Sequence, residues 1–303
     1  MISFFWIIAF LTLLSLTALI LWALIWWLRR SGADRRSPLT RNLLRNPGDS
    51  LRPQLEDLAF DMMGLLCLLL IIPIVVYSMW ITELHFGTTR VTTFDVTSRL
   101  IFTLIALGFV SYRILIVMKR RRALFLGLDG EMAIGQELNQ LMLKGYAVYH
   151  DFPADRFNID HIVVAPGGVF AVETKARPKP VTEDGKASAE VVFDGSSLRF
   201  PTWENRSFLE QATRQAKWLS RWLTSAVGEP VEAKPVLALP GWYIKRVQRG
   251  PVQVISGRDA EQLVRAGDLT FSPPQMQRIV HQVEARCRTV EPRGYARRNT
   301  STN

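Results

Sequence analysis

Apolar residues crowd the first third of the chain. Phe4 to Trp27 is an apolar run with no charge in it, longer than the roughly 20 residues a helix needs to cross a bilayer. It reads as an uncleaved anchor rather than a secretory leader. No basic segment precedes it, it exceeds a leader's apolar core, and no small-residue cleavage signal follows. Trp22, Trp26 and Trp27 gather at its far end, where amphipathic rings favour the headgroup zone. A second run covers Met62 to Ile81, with Pro73 near its middle, where neighbouring helices can satisfy the freed carbonyl. A third covers Leu100 to Met118, and Arg113 lies close enough to its end for the guanidinium to snorkel. The pattern predicts about three transmembrane helices, over 4–27, 62–81 and 100–118.

After residue 119 the pattern shortens to that of a soluble α/β domain. A helix is expected from an N-cap at Asp129 to just before Gly145, with Ile134, Leu138 and Leu141 on its apolar face. Tyr146 to Phe152, Phe157 to Ala165 and Val169 to Ala176 read as strands. Pro166-Gly167-Gly168 joins the last two as an antiparallel hairpin. Glu190 to Phe200 reads as a small hairpin turning at Asp194-Gly195. Next comes a helix over Ser207 to Ala226, whose stripe is Leu209, Ala212, Ala216, Leu219, Leu223 and Ala226. Strands at Val236 to Leu239 and Val252 to Ile255, and helices at Arg258 to Ala266 and Pro274 to Arg288, complete the domain. The polar, basic tail from Thr289 is expected to be disordered.

Composition sharpens this picture. The 303 residues include 37 basic and 27 acidic side chains, for a net charge of +10, yet mean hydropathy is +0.10. Such a chain must segregate its apolar residues, which excludes a simple soluble globule and a disordered chain. Two cysteines, Cys67 and Cys287, exclude a disulfide scaffold. Arginine placement sets an orientation. Arg29, Arg30, Arg35, Arg36, Arg41, Arg45 and Arg52 follow the first run, only Arg90 and Arg99 follow the second, and Lys119 to Arg122 follow the third. The positive-inside rule then puts the N-terminus outside and residues 119–303 in the cytoplasm. Lys119 to Arg122 form a basic juxtamembrane linker, 119–126, suited to anionic lipid.

Candidate chemistry lies in the first hairpin. Asp160 interrupts an apolar strand, and Glu173 and Lys175 project to one side of the next, since strand side chains alternate. Pairing across the turn can bring Asp160 close to Glu173. Glu131 falls on the inward face of the preceding helix, where an acid invites a functional explanation. Converging carboxylates make a hard-oxygen site for Mg²⁺, and a lysine beside them can position a water and stabilise charge on a phosphate. Against this stand plainer readings: Glu173 and Lys175 as a surface ion pair, and Asp160 as an edge charge that blocks aggregation. On the long helix, Arg214, Lys217 and Arg221 line a stripe beyond Gln211, either a solvated face or contacts to nucleic-acid phosphates.

Three segments carry a family resemblance: Gly127-Leu-Asp-Gly-Glu131, Asn158-Ile-Asp-His-Ile-Val-Val164 and Gly168-Val-Phe-Ala-Val-Glu-Thr-Lys175. Together they resemble the nuclease-related domain, NERD, of the PD-(D/E)XK nuclease superfamily, over about residues 127–240. The resemblance implies a restriction-endonuclease-like fold, a mixed sheet flanked by helices, with residues 241–288 completing the soluble domain. It implies that Glu131, Asp160 and Glu173 are metal-binding carboxylates for Mg²⁺ or Mn²⁺, that Lys175 is the catalytic lysine, and that Gln211 matches the family's glutamine. Two positions differ from the family pattern: Asn205-Arg206 stands where Asn-Pro is common, and Ala176 follows the lysine in place of a polar residue.

The reading is a membrane-anchored, metal-dependent nuclease of the bacterial inner membrane, cleaving nucleic acid, with DNA the expected form, on the cytoplasmic side. "Bacterial" rests on the resemblance. The alternatives are a non-cleaving module of the same fold that tethers nucleic acid or a partner, and a membrane sensor whose soluble domain regulates an assembly. His161 is out of phase with Asp160 and reads as structural.

Overall fold

The computed structural model describes residues 2–31, 37–86, 92–181, 189–258, 260–263 and 271–292. The chain divides into two compact units, one of Met1–Leu44 with Arg288–Asn303, the other of Arg45–Cys287. In the first, the leading apolar run forms helix α1, Ile2–Ser31. Leu43 and Val290 form an antiparallel bridge, with amide-to-carbonyl distances of 2.8 and 3.1 Å. The start of the expected tail is therefore paired backbone, and residues 293–303 of it lie outside the described residues.

The second unit opens with two long helices that pack together, α2 (Leu51–Phe86) and α3 (Thr93–Asn139). Both are long and apolar enough to cross a membrane. In α1 the apolar stretch with described side chains, Ser15–Trp27, is shorter than a span. The structure thus offers two such helices where the sequence predicted about three. Arg35, Arg36 and Arg90 lie outside the described residues.

Helix α3 departs most from expectation. Thr92 caps it in a reciprocal box with Asp95: the Asp95 amide donates to Thr92 Oγ1 at 3.3 Å, and the Thr92 amide donates to Asp95 Oδ2 at 2.9 Å. The helix then runs for 47 residues, about 70 Å, straight through the expected linker and past Asp129. Asp129 is not an N-cap, and residues 119–126 are not a linker. The physical reason is that Lys119 to Leu126 are good helix formers without a breaker, so nothing ends the helix that emerges from the apolar stretch. A short 3₁₀ turn, Gln140–Lys144, finishes it, closed by Gly145.

A five-stranded sheet follows, in the order β1 (Ala147–Pro153), β2 (Asn158–Ala165), β3 (Gly168–Thr174), β7 (Ala233–Ala238) and β9 (Gln253–Ile255). β1, β2 and β3 pair antiparallel, while β3–β7 and β7–β9 are parallel. Central β3 is buried at every residue, as a strand covered on both faces must be. On one face, Ile134, Leu138 and Leu141 pack against Val163, Phe170 and Val172. On the other, Leu219 and Leu223 of α4 (Ser207–Val227) and Ile279 and Val283 of α5 (Pro273–Cys287) cover Ile162, Val164 and Val169. A second sheet has the order β6 (Glu204–Asn205), β5 (Leu198–Arg199), β4 (Glu190–Phe193) and β8 (Tyr243–Arg246). The expected strands do not include β6, of two residues, or β8. Of the helix expected over Arg258 to Ala266, Ala260–Leu263 is a 3₁₀ turn and residues 264–266 lie outside the described residues.

Candidate active site

Three elements bring the catalytic candidates together. β2 and β3 are zipped in register from Ala165↔Gly168 to His161↔Val172, so Asp160 and Glu173 come next on neighbouring strands. Asp160 Oδ2 accepts a 2.6 Å hydrogen bond from the Thr174 amide. Helix α3 delivers Glu131 through close contact at Gly130. A Cβ there would lie 2.5 Å from Ala176 Cβ, so α3 can press this closely on the segment after β3 only because residue 130 is glycine.

Glu131, Asp160 and Glu173 line two adjoining clefts, one shared with Lys175 and the other with Gln211 and Gln215. Glu173 is only 2% exposed, and its carboxylate is fully engaged. Lys175 Nζ and Gln211 Nε2 both donate to Oε1, the latter at 2.6 Å. Gln215 Nε2 donates to Oε2 at 2.6 Å. Glu131 and Asp160 are half-buried. Burial, with the Asp151 and Glu173 carboxylates nearby, pushes Glu131 up to about 7, although Lys175 and the Gly48 amide pull the other way. Burial, then the charges of Glu173 and Glu131, raise Asp160 well above the usual carboxylate range.

The three carboxylates share a cleft without converging on one point. Among the described residues, no group of three Asp, Glu, His or Cys side chains stands at metal-holding spacing. The reason is visible in the bonds: Glu173 is turned to Lys175 and two glutamines, and Asp160 to a backbone amide. The donor set nevertheless suits a hard divalent cation. All its oxygens are carboxylate, and two of the three acids are held up partly by like charge, which a cation would relieve.

Arg214, Lys217 and Arg221 are exposed along α4 and line a further cleft with Phe157, Trp218, Gln211 and Gln215, so it abuts the carboxylates. Arg214 faces Glu210 at 4.0 Å, a pair too exposed to hold it. Lys119 and Arg122 line the carboxylate cleft from the α3 side. His161 is fully buried, its Nδ1 2.9 Å from Nδ1 of His150, whose Nε2 lies 3.0 Å from Asn139 Oδ1. Burial holds both rings below the usual histidine range, His150 at about 4.

Sequence reasoning missed two groups. Gln215 is 4% exposed and sits on α4 within the apolar stripe, four residues beyond Gln211. A polar residue at a core-facing position was the available signal. Asp151, 1% exposed, ties the segment before α2 to the sheet. Its Oδ2 accepts from Arg45 Nη2 at 2.5 Å and from the Ser50 amide at 2.7 Å, and its Oδ1 accepts from Asn158 Nδ2 at 2.9 Å. Gly48, with φ of 71°, lies so close that a Cβ would stand 2.3 Å from Leu128 Cδ1. The foot of α2 is thus packed into the α/β domain, and Leu51 lines both carboxylate clefts.

One known family matches this part of the chain. The family model of the nuclease-related domain, NERD, matches residues 126–240, the stretch from the end of α3 through β7 that carries all five catalytic candidates. Searches of curated proteins and of solved structures found no match. The matched description ties this part of the chain to nuclease-related function and to nucleic acid.

Proposed function

We propose that the protein is a membrane-anchored nuclease that hydrolyses phosphodiester bonds with the help of Mg²⁺ or Mn²⁺, on a PD-(D/E)XK, restriction-endonuclease-like domain facing the cytoplasm. The observation that carries the reading is the packing of Glu131, Asp160, Glu173 and Lys175 into adjoining clefts within the segment matched to NERD. Glu131, Asp160 and Glu173 would hold the cation, which when bound polarises a phosphoryl oxygen and makes water more acidic. Lys175, held by Glu173 at the cleft wall, carries the positive charge that orients the attacking water and meets charge developing on the phosphate. Gln211 and Gln215 fix Glu173 by hydrogen bonds to each oxygen. Arg214, Lys217 and Arg221 meet substrate phosphates.

Exposed side chains along α2 and α3, such as Ile74 at 62% and Phe102 at 68%, support a lipid environment for these helices, with α1 as a third anchor. Arginine asymmetry supports an outside N-terminus and cytoplasmic placement of the catalytic domain, and the family resemblance supports a bacterial inner membrane. Lys119 to Arg122 stand at the foot of the apolar stretch, where anionic headgroups would meet them. A second reading, a module that binds nucleic acid without cutting it, draws on the full engagement of Glu173 by Lys175, Gln211 and Gln215. Incubating the detergent-held protein with end-labelled DNA and RNA, with Mg²⁺ and with chelator, decides between them. The nuclease reading requires metal-dependent cleavage that is lost in Lys175→Ala.

A further inference from the structure

The α4 cleft holds a feature that phosphate binding does not need. Phe157, in the turn between β1 and β2, is 36% exposed although it stands among cations and amides. It also lines the carboxylate cleft with Asp160 and Glu173. Trp218 meets it edge to face, with ring centroids 5.6 Å apart and planes at 77°. Trp218 is itself held firmly. Its Nε1 donates to Asp155 Oδ2 at 3.3 Å, and the Arg286 guanidinium lies 5.4 Å from its ring. Arg286 is fixed in turn by Pro153 O at 2.7 Å and Asp155 Oδ1 at 3.1 Å. A ring that served only to complete the core would be covered as Phe152 is, at 0% exposure. Phe157 is instead braced from one side and open on the other, beside three cations.

A partly exposed aromatic ring in a cation-lined cleft matches one ligand chemistry. Cations track a phosphate backbone, and an aromatic ring stacks a base whose face is free. In a duplex the base faces are covered by their neighbours, so only an unpaired strand can use the ring. We propose that the cleft between the β1–β2 turn and α4 binds single-stranded nucleic acid, with one unpaired base on Phe157 and adjacent phosphates on Arg214, Lys217 and Arg221. This rests on the nuclease reading and specifies its substrate as unpaired strands or frayed ends, delivered to the carboxylates that share Phe157 as a neighbour.

The test is equilibrium binding by fluorescence anisotropy, using the full chain in detergent, chelator to prevent cutting, and labelled single-stranded and blunt duplex oligonucleotides of equal length. The expected result is at least tenfold tighter binding of the single strand. Phe157→Ala and Phe157→Leu should each weaken single-strand binding about tenfold and leave duplex binding unchanged, whereas Phe157→Tyr should restore it. Melting temperatures matching wild type show that the variants are folded. Equal affinity for both forms, or unchanged single-strand binding in Phe157→Ala, overturns the proposal. A protein that cuts duplex and ignores Phe157 refutes this inference alone. One that binds single strands through Phe157 yet never cuts with Mg²⁺ or Mn²⁺ refutes the nuclease reading alone.

Discussion

Gln215 Nε2 donates a 2.6 Å hydrogen bond to Glu173 Oε2, from a position on α4 that otherwise belongs to the apolar core. Its own Oε1 is buried without a partner among the described residues, so the side chain is committed to presenting its amide to Glu173. Gln215→Met keeps the shape and removes the donor. We expect a loss of about 1–3 kcal/mol in stability, because Glu173 stays buried with one oxygen less well satisfied. Cleavage should fall at least tenfold, with substrate binding through Arg214 to Arg221 preserved. Denaturant melts and single-turnover rates check both.

Glu131 and the His150–His161 pair give stability opposite dependences on pH. Glu131 has a folded value of about 7 against an ordinary 4.5. Its stabilising contribution is full below about 4.5 and is lost as pH rises through about 7, because the unfolded chain releases the proton first. His150 runs the other way, from an ordinary 6.5 to about 4. Its contribution is present above about 6.5 and is lost as pH falls through about 4. Metal-free melting curves should therefore show Glu131→Gln gaining on wild type between pH 5 and 7. A constant difference over that range contradicts the assignment.

The Arg45–Asp151 pair joins the foot of α2 to β1, with Asp151 only 1% exposed. Arg45→Ala leaves that carboxylate buried without its charge partner and should cost about 3 kcal/mol, measured as a drop in melting temperature of the full chain. Asp151→Asn in the same background should recover part of the loss by removing the stranded charge.

Arg214, Lys217 and Arg221 make a prediction in salt. Neutralising all three as glutamines should lower the slope of log affinity against log salt by about 2 for a single strand, since each phosphate contact contributes about 0.7. An unchanged slope would leave them as a solvated face.

Much of this arrangement can be read from local pattern. Pro166-Gly167-Gly168 between two apolar runs dictates the β2–β3 hairpin, and the hairpin alone sets Asp160 and Glu173 on neighbouring strands. The start of α3 is not legible near Asp129. Aspartate there mimics a cap, while the helix continues through Gly127, Gly130 and Gly135 with no proline to stop it before Asn139. Asp151 is legible as a buried acid only once Arg45 is known to reach it across 106 residues. Its backbone φ of 47°, rare for a residue with a side chain, is likewise a product of tertiary packing.

The most direct measurement of the central claim is thermal melting with and without Mg²⁺ or Mn²⁺, run beside cleavage, on wild type and Asp160→Ala. Asp160 and Glu131 are raised partly by the other carboxylates, so a bound cation relieves repulsion and stabilises the fold by linkage. Wild type should melt higher with metal and cut nucleic acid. Asp160→Ala should match or exceed wild type without metal, gain little from it, and not cut. Equal metal shifts in both proteins, or no shift in either under conditions where wild type cuts, would contradict the site.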